Sequence, residues 1–228
     1  MNNFSIPIVT IDGPSGVGKG TISALVANEL GWNLLDSGAL YRVLACYALA
    51  QGTDLQDEVA LAEFALNLPV RFVKAVPPML QQDIYLGNRL ITAELRTEQC
   101  GAIAAKIAKS PKVREALLAR QRAFAKAPGL VADGRDMGTA VFPEAKFKFF
   151  LEASVAERAQ RRYMQLKTID LDVTLETIIG EISQRDLQDR ERVVSPMKPA
   201  VDAIVLDTTY MSIEAVFVEV IKNIKGGY

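Results

Sequence analysis

Residues Gly13-Pro14-Ser15-Gly16-Val17-Gly18-Lys19-Gly20-Thr21 constrain this chain more than any other segment. Just before them, Ile6, Ile8, Val9 and Ile11 make a dense run rich in β-branched side chains that ends at Asp12-Gly13. That is the pattern of a strand buried on both faces of a parallel sheet. Just after them, Ile22, Leu25, Val26 and Leu30 recur at helical spacing. Strand, glycine-rich turn and helix in that order open an α/β unit. The glycines let backbone N–H groups converge on phosphate oxygens, the helix contributes its positive end, and Lys19 adds a mobile cation for the outer phosphates. The bland alternative is a glycine-rich turn beside a surface lysine, but the flanking elements are those the phosphate-binding mechanism requires. One detail departs from the general G-x-x-x-x-G-K-[ST] pattern: Gly20 follows Lys19, and the hydroxyl comes one place later, at Thr21. Thr21 therefore either touches phosphate or meets a metal ion, mainly through water.

The rest of the chain alternates in the same way. Asn33 to Asp36 reads as a second strand, with a helix following through Tyr41, Val43, Leu44 and Tyr47. Residues 54 to 93 have another texture: a helix through Leu61, Phe64, Ala65 and Leu68, an alternating strand at Val70 to Val73, and two short strands around Gly87-Asn88. This stretch reads as a small β-containing insertion. Two helices between Glu94 and Lys126 divide near Ser110-Pro111. Strands at Leu130 to Ala132 and Phe147 to Leu151 precede helices at about 154–166 and 174–190. A strand at Ala203 to Leu206 and a helix from Ser212 finish the chain. Such alternation implies a mostly parallel sheet covered by helices on both faces. At 228 residues, one domain is the default.

Composition narrows the chemistry. The chain has no histidine, which removes Ser-His-Asp and Cys-His nucleophile systems and any histidine-based zinc site. Lys and Arg (26) nearly balance Asp and Glu (27), an argument against non-specific nucleic-acid binding. Cys46 and Cys100 are far apart in the chain, lie in apolar helix-like stretches, and read as buried small residues with no metal-cluster spacing. Without a disulfide framework, a basic leader or an apolar run of about 20 residues, the expectation is a cytoplasmic protein in a reducing compartment, with no membrane partner.

Two further segments sit where strands should end. In Leu35-Asp36-Ser37-Gly38-Ala39-Leu40-Tyr41-Arg42, Asp36 or Ser37 either caps the next helix or faces a ligand, and Arg42 is placed to meet an anion. In Asp133-Gly134-Arg135-Asp136-Met137-Gly138-Thr139, two acids flank an arginine; the cluster either neutralises itself or orients a hydrated Mg²⁺ while clamping a phosphate. Arg158, Arg161 and Arg162 share one face of a helix, either facing solvent beside Glu157 or closing over a nucleotide. Arg185-Asp186-Leu187-Gln188-Asp189-Arg190-Glu191-Arg192 reads in isolation as an ion-paired helix end.

Taken together, the phosphate loop, L-L-D-S-G-A-L-Y-R, D-G-R-D-M-G-T and R-D-L-Q-D-R-E-R resemble the bacterial cytidylate kinases, in order, from Ile8 to about Asp207. The resemblance implies a three-layer P-loop fold of one domain, 1–228, with a nucleotide-side insertion at about 37–95 and a helical lid at about 155–190. It implies that Gly13 to Thr21, Arg158 and Arg162 bind ATP. Ser37 and Asp136 would hold the acceptor ribose, Arg42 and Arg135 its phosphate, and Arg114, Arg185, Asp189 and Arg192 the cytosine side. Lys19, Arg135, Asp136 and Asp133 would carry catalysis, with Mg²⁺ near Thr21, Asp36 and Asp133 mainly through water and no direct ligand assigned. The family often has a serine about nine residues before the first base-reading arginine; here Ala105 stands in its place.

The implied reaction is ATP + CMP to ADP + CDP, with dCMP also accepted, by a monomer that uses no nucleic acid. A phosphate acceptor is largely ionised at neutral pH, its second pKa lying near 6, so the missing histidine does not matter. Two rivals remain at this level. One is a kinase acting on another monophosphate or on a small alcohol; the alcohol would need deprotonation, with Asp36 or Asp136 as base. A nucleotide-dependent switch would leave the acceptor-side arginines unexplained and lacks a guanine-reading N-K-x-D segment.

Overall fold

The computed structural model describes residues 6–73, 82–167 and 173–227. The first strand, β1 (Ile8–Asp12), leads through the glycine loop into α1 (Lys19–Leu30); β2 (Asn33–Asp36) runs directly into α2 (Ser37–Ala50). Then come α3 (Glu58–Asn67), the short strands β3 (Val70–Val73), β4 (Asp83–Leu86) and β5 (Arg89–Leu90), and the helices α4 (Glu98–Ile107) and α5 (Pro111–Arg122). The chain closes with β6 (Leu130–Asp133), β7 (Phe147–Glu152), α6 (Val155–Lys167), α7 (Leu175–Arg190), β8 (Ile204–Asp207) and α8 (Ile213–Gly226). The first strand starts two residues later than the apolar run, because Pro7 has no N–H to give a ladder; its carbonyl still accepts from Leu130 at 3.0 Å. Residues 74–81 of the β-containing stretch fall outside the described residues.

Five strands form one parallel sheet in the order β2-β6-β1-β7-β8. Alternation along the strands divides the core. Val9, Ile11, Val131, Phe149 and Leu151 point to one face and pack with Ile22 and Val26 of α1 and Val216, Val220 and Ile224 of α8. Ile8, Leu130 and Ala132 point to the other and pack with Leu40, Met137 and Phe142. Each such buried aliphatic side chain contributes about 1.5–3 kcal/mol relative to exposure. The result is an α/β fold with helices on both faces of a parallel sheet. Among the described residues no helix is long and apolar enough to cross a membrane.

Two smaller bodies stand beside the sheet. The antiparallel β3-β4-β5 sheet turns at Gly87. Its apolar cluster does not stop near residue 95 but runs from Ala39 of α2 through α3 and α4 to Leu117 of α5. Helices α6 and α7 form a separate pair with their own cluster of Ala159, Leu166, Ile178 and Ile182. Within the first body, α2 and α4 bring the Sγ atoms of Cys46 and Cys100, far apart in the chain, to 3.5 Å.

Candidate active site

Parallel strands put their carboxyl ends on one edge, and a ligand crevice forms there. All five strands here end on that edge and on acids; Asp36 and Asp133 are register partners on one face of the sheet, and Asp12, one residue past the partner of Asp133, points to the other. A cavity of about 1000 Å³ opens over it, with the glycine loop on one wall and Arg42, Arg135 and Arg185 among its other lining residues. Gly13 (φ 143°) passes so close to β7 that a Cβ would lie 2.2 Å from the Leu151 carbonyl oxygen. Gly18 (φ 95°) sits left-handed at the N-terminus of α1, where no side chain caps the helix and its first N–H groups face the cavity. That is an anion cradle by construction.

Lys19 is 6% exposed and folds back to donate from Nζ to the Pro14 carbonyl at 2.7 Å. Burial first, and then the neighbouring Arg135, lower its pKa to about 7, while Asp133 and Asp12 oppose the shift. Burial likewise raises Asp133 to about 7; Lys19 works against this and Asp36, its register partner on β2, adds to it. The cluster is thus poised between charge states, because each charge sits in low dielectric without an incoming anion to balance it.

Asp12 ties this wall to the opposite one. Its two carboxylate oxygens accept from the backbone N–H of Met137 and of Gly138, both at 2.8 Å. Those residues open a short π-type turn, Met137–Val141, directly after Arg135 and Asp136. Burial raises Asp12 to about 7, against the two backbone hydrogen bonds that favour its charged form. Gly138 lies against β1, where a Cβ would meet Thr10 Oγ1 at 2.9 Å.

On the acceptor side, Asp36 caps α2 by accepting from the Ala39 N–H at 2.9 Å, and the buried Ser37 hydroxyl accepts from Gln121 Nε2 at 2.9 Å. Arg42 donates to the carbonyls of Leu95 (2.5 Å) and Thr97 (3.3 Å). Three distant segments then meet in one knot of ions. Arg114 of α5 pairs with Asp136, Arg135 Nε lies 3.0 Å from Asp189 Oδ2, and Arg192 pairs with Asp189 Oδ1. Burial, then the nearby Arg114, lower Arg192 to about 10, and burial raises the adjoining Tyr41 phenol. Of the residues read from the sequence, Arg42, Arg135 and Arg185 line the cavity with the glycine loop, while Ser37, Arg114, Asp136, Asp189 and Arg192 do not.

Arg158 departs from expectation. It is 2% exposed, forms a two-pronged ion pair with Asp186 (3.1 and 2.5 Å) and donates to the Ser15 carbonyl at 3.0 Å. A guanidinium committed on both prongs to a buried carboxylate is a clamp between α6, α7 and the glycine loop, outside the cavity lining. The three arginines of α6 diverge: Arg161 donates to the Thr208 carbonyl at 2.8 Å, and Arg161 and Arg162 line the cavity.

Comparison with known proteins matches this geometry to a family. The family model described as cytidylate kinase covers residues 9–226. A cytidylate kinase of Pseudomonas aeruginosa is 55% identical over 221 residues, 97% of this chain and 96% of its own. One from Pseudomonas entomophila is 57% identical over 92% of each chain, and one from Aeromonas hydrophila 54% over 94% and 92%. The chain belongs to the cytidylate kinase family. It is therefore an ATP-dependent kinase with a nucleoside monophosphate as acceptor. Among solved structures, a gluconokinase from Sinorhizobium meliloti aligns over 98% of this chain and 93% of its own with a TM-score of 0.49 and 12% identity, too slight a likeness to build on.

Mg²⁺ accompanies ATP in kinases of this type, and the donor set tests well for it. Asp133 and Asp36 offer hard oxygens on adjacent strand ends beside the loop, and Asp133, raised by burial, is a carboxylate short of positive charge. Among the described residues no group of three or more His, Cys, Asp or Glu could hold a metal ion by itself. Two carboxylates without a cage suit an ion that keeps its waters and leans on substrate phosphates.

Several members of the site escaped the sequence reading. Gln121 carries a legible signal: it continues the Val113, Leu117 stripe at i+4 spacing, so a polar side chain stands where the helix is apolar. Asp12 was visible only as the end of a strand, and Asp186 only as one acid of an ionic run. Their partners, backbone N–H groups 125 residues away and a buried arginine 28 away, have no local trace.

Proposed function

We propose that the protein transfers the γ-phosphoryl group of ATP to CMP and dCMP, giving ADP with CDP or dCDP, as a monomer. The observation that carries this reading is the single cavity with an anion cradle on one wall and Arg42, Arg135 and Arg185 on others. Two anions must approach in phosphoryl transfer, and such a cavity compensates both.

The triphosphate lies along Gly13 to Thr21, and the acceptor phosphate lies between Arg42 and Arg135. An ionised acceptor oxygen attacks the γ-phosphorus in line; one P–O bond forms as the bond to the ADP oxygen breaks. Lys19 leaves the Pro14 carbonyl for the phosphates and regains a full charge there. Mg²⁺, when bound with ATP near Asp36, Asp133 and Thr21, neutralises phosphate charge. The segment at about 37–95 closes over the acceptor and the α6–α7 pair, about 155–190, acts as the lid, with Arg162 reaching the nucleotide. Arg158 serves as the root of that lid rather than as an ATP contact. An alcohol acceptor is disfavoured, because Asp36 is occupied as a helix cap and Asp136 by Arg114; neither is poised as a base.

Selectivity for cytosine follows from Asp189. A carboxylate accepts about four hydrogen bonds, and Arg135 and Arg192 take one oxygen each. Capacity remains for the exocyclic amine of cytosine, whereas uracil presents an acceptor there and leaves a buried carboxylate facing a carbonyl. The test is ADP release measured across nucleoside monophosphates, with CMP and dCMP far ahead of UMP. Asp189→Ala should reduce kcat/KM for CMP on the order of a hundredfold and narrow the CMP-to-UMP ratio by tenfold or more; an unchanged ratio refutes the assignment.

A further inference from the structure

Cys46 lies on α2 one turn beyond Arg42, and Cys100 lies in the first turn of α4. Their sulfurs are 3.5 Å apart, and Cys100 Sγ is also 3.6 Å from the Arg42 carbonyl oxygen. The neighbouring residue, Gly101, lies directly under the Arg42 guanidinium, where a Cβ would come within 2.9 Å of one Nη. Arg42 is held from the other side by the carbonyls of Leu95 and Thr97, and Thr97 caps α4 by accepting from the Cys100 N–H at 3.2 Å. The two thiols therefore occupy the joint between the helix that carries Arg42 and the helix on which its guanidinium rests.

We propose that Cys46 and Cys100 are an oxidation site: a two-electron oxidant of the peroxide class converts them into a reversible disulfide, and the link alters the acceptor side of the cavity through Arg42. Cys46 is half-buried and Cys100 is 5% exposed, so the oxidant meets Cys46. A thiolate there attacks one oxygen of hydrogen peroxide; an S–O bond forms, the O–O bond breaks, and the departing hydroxide takes up the proton as water. Cys100 sulfur then attacks Cys46 sulfur. The S–S bond forms, the S–O bond breaks, and the second hydroxide leaves as water with the remaining thiol proton. Two thiols and one peroxide become one disulfide and two waters, and each sulfur gives up one electron. A small dithiol reverses the reaction by exchange.

The two sulfurs share one proton, and either can be its donor; with Cys46 donating, the hydrogen bond to Cys100 and burial push the Cys46 thiol up, so the geometry favours the closing step and the first step needs that proton handed on to Cys100. Donation from the Cys46 thiol, and the Arg42 guanidinium, bring the Cys100 thiol down to about 7 against the effect of burial, with Glu94 opposing. Transfer of the shared proton across the 3.5 Å S–H···S contact to Cys100 is what frees Cys46 to attack the oxidant. Contraction from 3.5 Å to a covalent bond of about 2.05 Å needs side-chain rotation and a slight approach of the helices. Both helices present small residues to their common cluster, Ala45 and Ala48 from α2 and Ala104 from α4. Any such approach moves the seat of Arg42, and small misplacements at a phosphoryl-transfer site are amplified in rate.

The experiment treats the full-length protein with hydrogen peroxide. Intact mass should fall by two hydrogens, a non-reducing digest should join the peptides holding Cys46 and Cys100, and dithiothreitol should restore both thiols. In the linked protein KM for CMP should rise by about threefold or more while KM for ATP changes less than about twofold; Cys46→Ser should form no link and keep its kinetics under the same treatment. The kinetic arm rests on CMP being the acceptor, and the mass arm does not, so failure of the substrate reading leaves the link standing. Thiols that both still titrate after peroxide, or a gain of oxygen without the joined peptides, overturn the site. A complete link with unchanged KM for CMP overturns its effect on Arg42.

Discussion

On the proposed reading, the donor wall and the acceptor wall of the cavity are built in opposite ways. The donor wall is nine consecutive residues, mostly glycines and small side chains, whose backbone does the binding and whose single cation, Lys19, is buried at a discount in charge. The acceptor side is almost all side chain: Arg42 and Arg135 line the cavity, and behind them Arg114 pairs with Asp136 while Arg135 and Arg192 share Asp189, three guanidiniums against two carboxylates. A backbone cradle keeps its donors aimed whether or not an anion is present. A side-chain knot holds its geometry only by internal pairing and must trade those pairs for substrate. The donor wall is preorganised by covalent structure, the acceptor wall by internal pairing that leaves one guanidinium in excess.

The sharpest way to break this contrast is to remove the one donor-side charge. Lys19→Ala should lower kcat by about a thousandfold or more, since it removes a cation aligned with the transferring group. The thermal midpoint should stay level or rise, because the lost side chain was a partly discharged ammonium in a dry site. Activity within tenfold of the parent would show that the backbone alone carries the donor wall.

Next in size is the clamp that joins the walls. Asp186→Ala leaves the Arg158 guanidinium 2% exposed with no carboxylate partner, and breaking a buried pair from one side costs about 3–5 kcal/mol. Calorimetry should show a large fall in thermal midpoint. Arg158→Met, which removes the charge and fills the volume, should be milder. If instead Arg158→Met retains stability and loses ATP affinity, Arg158 belongs to the donor wall after all.

The same contrast explains what could be read from the chain. The donor wall was legible from composition and order alone, since strand, glycine turn and helix are contiguous and their function lies in backbone geometry. Strand positions, the helix divide at Ser110-Pro111 and the Gly87-Asn88 turn were legible for the same reason. The acceptor residues were named through resemblance, and their pairings had no local signature: nothing near Arg135 announces Asp189, and nothing near Cys46 announces Cys100. The spacing of Arg158, Arg161 and Arg162 described one helix face correctly but could not show that a buried Asp186 waits across it. Periodicity reports where a side chain starts; the partner that fixes where it ends is a tertiary fact.

A smaller effect tests the discount on Lys19. In the free protein its pKa is about 7; phosphate oxygens in the complex restore it toward the ordinary lysine value. Between those two values the complex holds more protons than the free protein, so ATP binding takes up protons and weakens as pH rises. Above about pH 8, with Asp12 and Asp133 largely ionised, affinity should fall by up to about tenfold per pH unit. Calorimetry in buffers of differing ionisation enthalpy at pH 8 should register uptake of nearly one proton. Lys19→Met should abolish that uptake. Proton release, or none, would mean that Lys19 is already charged in its loop.

The smallest expected effect sharpens the acceptor wall. Ala105 lies half-buried on α4, at the position where the resemblance implies a serine. A hydroxyl there would add one hydrogen bond to a base otherwise read by charged side chains. A neutral hydrogen bond contributes about 0.5–1.5 kcal/mol net, so Ala105→Ser should lower KM for CMP by about two- to tenfold, with kcat and KM for ATP little changed. Because the added group reads the base and not the phosphates, the gain should be equal for CMP and dCMP. A gain shared by UMP would show that the new hydroxyl meets an atom common to both pyrimidines, leaving discrimination wholly to Asp189. A loss for every acceptor would mean that the small side chain at 105 is needed for the packing of α4, and that the acceptor wall is tuned by shape as well as by charge.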